Sequence, residues 1–216
     1  MSAYAQLGAG DQAAVTAAVA AVELADAPVP GDAFRALADP TLRRVAAEVL
    51  AEAGRQLLSV DGGWLSGYDD AVADRLADEG VGVLAPTDRA VLALVLLHTV
   101  AIPRSRGRIE GTRWTDAEPV DVDEIAKSRA LSKQAIRASV RRLRSLGVLR
   151  QGHRPPLAPG PQLDRLSPER SRRLWEDLML LCQPDGMMAA AIRRRRGAEP
   201  ARPSAAVAPQ DAGVHR

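Results

Sequence analysis

Four cations stand at helical spacing near the middle of this chain: Lys133, Arg137, Arg141 and Arg144. Positive side chains at i, i+4 and i+8 track one strip of an α-helix, and such a strip suits phosphates lining a nucleic-acid groove. Gln134 lies beside them, and Arg150, His153 and Arg154 follow within a few residues. A solvated strip, or one that meets an acidic protein, has the same pattern. Base readout needs bidentate Arg or Asn/Gln contacts, and besides the arginines only Gln134 adds such a side chain. The DNA binding expected from this set is therefore weak, salt-sensitive and largely independent of sequence.

Catalytic chemistry finds no comparable set. His98, His153 and His215 are scattered, and the single cysteine, Cys182, lies in an apolar stripe. Zinc sites of the usual kind need paired Cys/His at short spacing. A phosphate-cradling GxxxxGK[ST] loop is absent, because neither Lys127 nor Lys133 follows a glycine. The carboxylates Asp69-Asp70 and Asp121/Asp123/Glu124 sit where helices are expected to start, and capping explains them. The expectation is a binding protein: no enzyme, no catalytic residues, no metal and no cofactor.

The elements that must position the cations are legible in residues 121–152. A short helix, Val122 to Ser128, leads through a tight connection, Arg129 to Leu131, into a second helix capped by the Ser132 hydroxyl. Ile136, Val140 and Leu143 recur at i, i+4, i+7 and share the opposite, buried face. Gly147 supplies a left-handed stop, Val148 to Arg150 leaves as a short strand, and a Pro/Gly-rich hairpin follows from Gly152 to Pro161. This succession predicts a winged helix-turn-helix.

The charge is divided unevenly. Residues 1–102 hold six Arg against fourteen Asp and Glu, whereas residues 103–216 hold twenty-three Lys and Arg against thirteen Asp and Glu. Such asymmetry points to a nucleic acid for the basic half and a protein partner for the acidic half. Arginine outnumbers lysine twenty-seven to two, a bias that reads with the Ala richness as a GC-rich genome rather than as function. A lone cysteine excludes an internal disulfide and suits a reducing compartment. The longest apolar run, from Ala90 towards Ile102, is shorter than a membrane span needs, and no signal peptide is recognisable. A cytoplasmic, nucleoid-associated protein without membrane contact is expected.

The fold class read from the pattern is mainly α with small β-wings (α+β), as two winged-helix domains in tandem. The divisions are 1–30, an Ala-rich extension in which Asp11 to Ala25 forms either a helix or a loosely held segment; 31–85, a first winged-helix-like domain; 86–185, the second; and 186–216, a disordered Arg/Pro/Ala-rich tail. In the first domain Asp39-Pro40 opens a helix to Ala53, Arg55 to Leu65 forms extended pieces around Asp61-Gly62-Gly63, and a helix from Asp70 leads to a strand, Val81 to Leu84. In the second, Thr87 caps an apolar helix, Asp88 to Ile102, around which the others pack. Residues 103–120 are polar, with Trp114 and a short strand able to pair with the wing. A last helix from Ser167-Pro168 carries Leu174, Trp175 and Leu178, which either seal the domain or bind a partner.

Two resemblances add to this. Residues 34–45, from Phe34 to Val45, resemble the opening helix of small metal-sensing winged-helix repressors, but the recognition helix does not follow at their spacing and no sensor residues are present. More broadly, residues 33–181 resemble the MukE/MksE family, tandem winged-helix (KITE-type) subunits of bacterial condensin-like SMC complexes, and their plasmid-defence relatives. The carrying segments are Gly54-Arg55-Gln56-Leu57, Tyr68 to Leu84, Asp88 to Ile102, Ile136 to Gly147 and Leu157 to Leu166. The resemblance implies a non-catalytic homodimer that binds a kleisin and an SMC-type ATPase and contacts double-stranded DNA, in chromosome segregation or plasmid defence. The alternative is a winged-helix transcriptional regulator.

Overall fold

The computed structural model describes residues 2–110, 114, 117–128, 131–150 and 156–198. It is mainly helical, with one three-stranded antiparallel sheet of order β1-β3-β2. Within it the same order of elements occurs twice.

The first instance runs through α1 (Ala9–Leu24), β1 (Val29–Pro30), α2 (Arg35–Ala38), α3 (Pro40–Glu52), β2 (Arg55–Val60) and β3 (Gly63–Tyr68). On α1, Val15, Ala18 and Val22 are spaced i, i+3, i+7 and fully buried. They pack against Leu37 of α2 and Leu42, Val45, Ala46 and Leu50 of α3. The Ala-rich start is therefore the first helix of this core and not an extension to it. Asp39 caps α3 through Thr41 N and Leu42 N, at 2.7 and 3.1 Å, ahead of Pro40. β2 and β3 pair in register from Arg55↔Tyr68 to Val60↔Gly63, and β1 joins β3 at Val29↔Trp64.

After α4 (Asp70–Asp78), Val81 to Leu84 is irregular rather than a strand, and Val81 and Val83 are half-exposed. Alternation at these positions has no neighbouring strand to pair with. The segment connects the two units.

The second instance begins with α5 (Pro86–Leu96), which continues through a π-helical turn, Leu97–Ala101, into α6 (Ile102–Ser105). Pro86, not Thr87, opens the helix, and its cap position is Ala85, without a side-chain bond. Pro103 lacks an N–H for the Thr99 carbonyl, which accounts for the wide turn just before it. The 20-residue helical stretch Pro86–Ser105 contains an 18-residue window with a mean hydropathy of 1.2, enough by length and composition to cross a membrane. Burial of Val91, Val95, Leu96 and Val100 in this chain's own cores accounts for that apolar character.

Val120 then bridges Leu157, followed by α7 (Val122–Ala126), α8 (Lys133–Ser145), and the Leu149↔Pro159 bridge. Helix, strand, helix, helix, strand, strand is the winged-helix order. Ile136, Val140 and Leu143 of α8 are buried against Val91, Val95 and Ile125, as their spacing predicts. Gly147 turns at φ 68°, and a side chain at Gly160 would collide with its carbonyl oxygen. Close crossing of the two wing segments thus requires glycine at both points.

Two further helices close the chain. α9 (Pro168–Cys182) is capped by Ser167, and α10 (Met187–Ala198) packs on it with Ile192 buried beside Leu178 and Met179. Residues 187–198, read from sequence as the start of a disordered tail, are helical. The reason is a partner invisible to local pattern: Glu176, fully buried, accepts from Arg172 (2.5 Å), Arg195 and Arg196 (3.0 Å). The run of arginines folds back onto that carboxylate.

Candidate nucleic-acid interface

The strip on α8 is held in place by its buried opposite face and by its cap, where Ser132 Oγ accepts from Ala135 N at 3.2 Å. Lys133, Gln134, Arg137 and Arg141 are exposed, and Arg144 is half-buried at the helix's far end. Arg150 is exposed just after Leu149, its amide donating to Ala158 O at 3.0 Å. His153 and Arg154 fall outside the described residues. The structure therefore brings together Lys133, Gln134, Arg137, Arg141 and Arg144 on one helix, with Arg150 on the strand that leaves it.

Their electrostatic states differ. Lys133 Nζ pairs with Asp123 of α7 at 2.6 Å, and that lysine holds the Asp123 carboxyl below the usual range. Among the described residues, the side chains of Arg137 and Arg141 make no hydrogen bond or ion pair, although Arg137 lies close enough to Asp123 to help lower its pKa. Arg137 faces a cavity of about 320 Å³ whose walls also include Asp121 and Asp123. These two arginines are the cations available to a phosphate.

Arg142, outside the strip expected from sequence, has a different task. Its guanidinium donates to both oxygens of Asp88 on α5, at 2.9 and 2.6 Å, and to Ser139 Oγ at 3.2 Å. Asp88 is almost fully buried, and Arg142, then Ser139, hold its carboxyl below the ordinary value. The pair fixes α8 on α5, and so orients the exposed strip. In the sequence Asp88 marks only the start of the apolar helix; its partner 54 residues away left no local signal.

The corresponding helix of the first unit, α3, presents no free strip. Arg43 donates to Leu37 O at 2.7 Å and lies 4.9 Å over the Trp64 ring, while Arg44 pairs with Glu48 at 2.8 Å.

Comparison with known proteins gives the chain no family. No protein-family profile matches the chain, and no curated protein does. Among solved structures, a conserved hypothetical protein from Chlorobium tepidum matches at 20% identity over 72% of this chain and 96% of its own, with a TM-score of 0.29. ScpB from Mycobacterium tuberculosis matches at 20% identity over 74% and 99%, with a TM-score of 0.24. At these scores no role is carried over from either.

The three residues expected to meet a protein partner are differently placed. Leu178 is buried inside the chain's own core and offers nothing to a partner. Leu174 lines a cleft of about 340 Å³ between α4 and α9, with Asp70, Asp74, Arg170 and Arg173. Trp175 lines another of about 330 Å³, with Pro168, Arg172 and Arg195. Among the described residues, no group of three His, Cys, Asp or Glu side chains is arranged to hold a metal ion.

Sequence reading missed the joint between the units. Arg165 reaches four backbone carbonyls of the first unit: Val22 (3.3 Å), Glu23 (3.0 Å), Ala25 (2.6 Å) and Ser66 (2.6 Å). Burial, aided by nearby Arg55, lowers its pKa, while Asp26 and Glu23 oppose the shift. Arg170 adds bonds to Asp70 (2.8 Å) and Asp74 (2.7 Å), and Ser167 Oγ donates to Asp70 at 2.8 Å. An arginine placed to satisfy the last carbonyls of α1 is a recognisable helix-end device, but its sequence separation of 140 residues or more hides it.

Proposed function

We propose that this chain is a non-catalytic accessory subunit of an SMC-type complex, which binds a kleisin through its acidic first unit and touches DNA through the second. The observation that carries the reading is the contrast between two winged helices of the same element order. One leaves Arg137 and Arg141 exposed and unpaired among the described residues, and the other consumes Arg43 and Arg44 internally. Contacts of this kind go to phosphate and carry no base information, so DNA is held without a preferred sequence. Residues 1–102, which contain the first unit and the first helix of the second, hold fourteen carboxylates against six arginines, a balance that suits a protein partner.

The proposal is for the class of tandem winged-helix SMC subunits and not for its MukE/MksE branch. Gly54-Arg55 and Ile136 to Gly147, which carried the narrower resemblance, serve here as a helix stop and as recognition-helix packing that any winged helix shares. A homodimer belongs to the same proposal.

Affinity purification of the tagged full chain from its native cells is the test. Recovery of a long coiled-coil ATPase together with a kleisin is the expected result. If neither is recovered, and the protein instead protects a short palindrome near its own promoter, the subunit reading fails and a transcriptional regulator replaces it.

A further inference from the structure

The three-stranded sheet of the first unit has two edges, and they are finished differently. On one side β1 is only two residues long and ends in Pro30, and the Ser66 carbonyl of β3, beyond its reach, accepts from Arg165 at 2.6 Å. A short strand and a proline are usual ways of closing an edge. On the other side β2 presents six residues, Arg55–Val60, paired with β3 without a bulge and holding neither lysine nor proline.

Asp61 and Gly62, at φ 49° and 77°, form a two-residue turn, which makes Val60↔Gly63 a hydrogen-bonded pair. Bonded pairs recur at every second residue of an antiparallel ladder. Gln56, Leu58 and Val60 therefore bond to β3, while the amides and carbonyls of Arg55, Leu57 and Ser59 point outward. The Ser66 carbonyl, opposite Leu57 and turned away from β2 towards Arg165, has the same phase. Among the described residues, no hydrogen bond outside the ladder engages the main chain of Leu57 or Ser59. Ser59 is exposed, and Leu57, packed on the first core, is half-buried.

We propose that β2 pairs antiparallel with β2 of a second copy, centred on Leu57; the proposal rests on the homodimer suggested above and names its surface. Complementarity fixes the register. Centred on Leu57, the outward groups of Arg55 meet those of Ser59 in the other copy, and Leu57 meets its own counterpart, so each outward amide faces a carbonyl. Centred on Leu58 instead, Arg55 would have to bond to Asp61, which the turn takes out of the strand. The Leu57 register sets no like charges opposite each other, Gln56–Val60 being uncharged, and the two Leu57 side chains cover one another. One strand on one strand buries less than a standard interface, so association in the micromolar range is expected.

Sedimentation equilibrium of the full chain from about 1 to 200 µM tests this, with residue-resolved amide exchange over the same range. The parent should dimerise, and the amides of Leu57 and Ser59 should exchange fast in the monomer and become protected as the dimer forms. Ser59→Pro removes an outward N–H and no bond of the β2–β3 ladder, the position at which an edge strand tolerates proline. It should raise the dissociation constant about tenfold or more, because each copy loses a bond, while Ser59→Thr stays within about twofold of the parent. Should Ser59→Pro not fold, amide exchange in the parent decides alone. A dimer that folded Ser59→Pro leaves intact, or whose Leu57 and Ser59 amides exchange freely, overturns the strand pairing while the homodimer stands. Protection of those amides already present in the monomer overturns the pairing too, since the chain's own residues then close the edge. A monomer throughout the range overturns both.

Discussion

Two winged helices in one chain share an order of elements and use their third helices in opposite ways. On α3 the cap is Asp39, an anion at the end where phosphate would approach, and both arginines are engaged by a carbonyl, an indole ring and a glutamate. On α8 the cap is the neutral Ser132, and Arg137 and Arg141 face solvent. The two units thus share a topology but not the placement of charge on the third helix, and it is the charge on which the proposed nucleic-acid contact depends. The difference extends to the interior. The first unit joins its helices by Val, Ala and Leu packing with an Arg43 bond to the Leu37 carbonyl and an exposed Arg35–Asp11 pair, whereas the second uses the buried acids Asp88, with Arg142, and Glu176, with three arginines, to position its helices.

The largest effect should come from the packing that both units share. Leu143→Ala and Leu50→Ala each remove a side chain essentially without exposure, and each should cost about 3 kcal/mol in chemical denaturation. Comparable losses are expected because both helices bury one face at positions three to four residues apart. A loss under about 1 kcal/mol at either site would show that helix to be peripheral to its core.

Next comes the ionic device confined to the second unit. Glu176→Ala leaves three arginines facing a buried hole, and should cost about 2 kcal/mol. The figure lies below that for a fully buried pair because the arginines keep a third to a half of their surface in water. Hydrogen exchange should show α10 opening before α8. Retention of full α10 protection in Glu176→Ala would mean that Ile192 packing alone holds this helix.

Asp88 gives the second unit a pH dependence. Its folded pKa lies below the ordinary 3.8, so its stabilisation is present above that value and is lost as pH falls through the depressed one. Asp88→Asn should flatten the acid limb of unfolding free energy against pH; an unchanged limb would assign the acid sensitivity elsewhere. Smallest of all, Ser132→Ala should cost about 1 kcal/mol, the usual worth of an N-cap bond, and shift the thermal midpoint by a few degrees.

What was legible in the sequence was local. Periodicity gave the buried face of α8, the glycine at 147 gave its stop, and Asp39, Asp69, Ser132 and Ser167 were recognisable caps that do accept backbone amides. Alanine propensity allowed α1 but did not say that Val15, Ala18 and Val22 enter a core, because three apolar positions among many alanines make a weak stripe. On α8, cation spacing marked Lys133, Arg137 and Arg141 alike and could not show that Lys133 is ion-paired. That pairing depends on Asp123, which α7 carries to it across the turn. Arg142, Arg165 and Glu176 were hidden for one reason: each one's decisive partner is remote in sequence, or buried, or both.

The most direct measurement of the account is DNA affinity of the full chain on two unrelated duplexes, titrated from about 50 to 200 mM salt. The parent should bind both equally, with a log–log slope of about −2 to −3, and neutralising Arg141 should reduce that slope by about 0.9 while Arg44→Gln leaves it unchanged. Preferential binding to one duplex with a slope near zero, or equal losses from Arg44→Gln and Arg141→Gln, would contradict a backbone contact confined to the second winged helix.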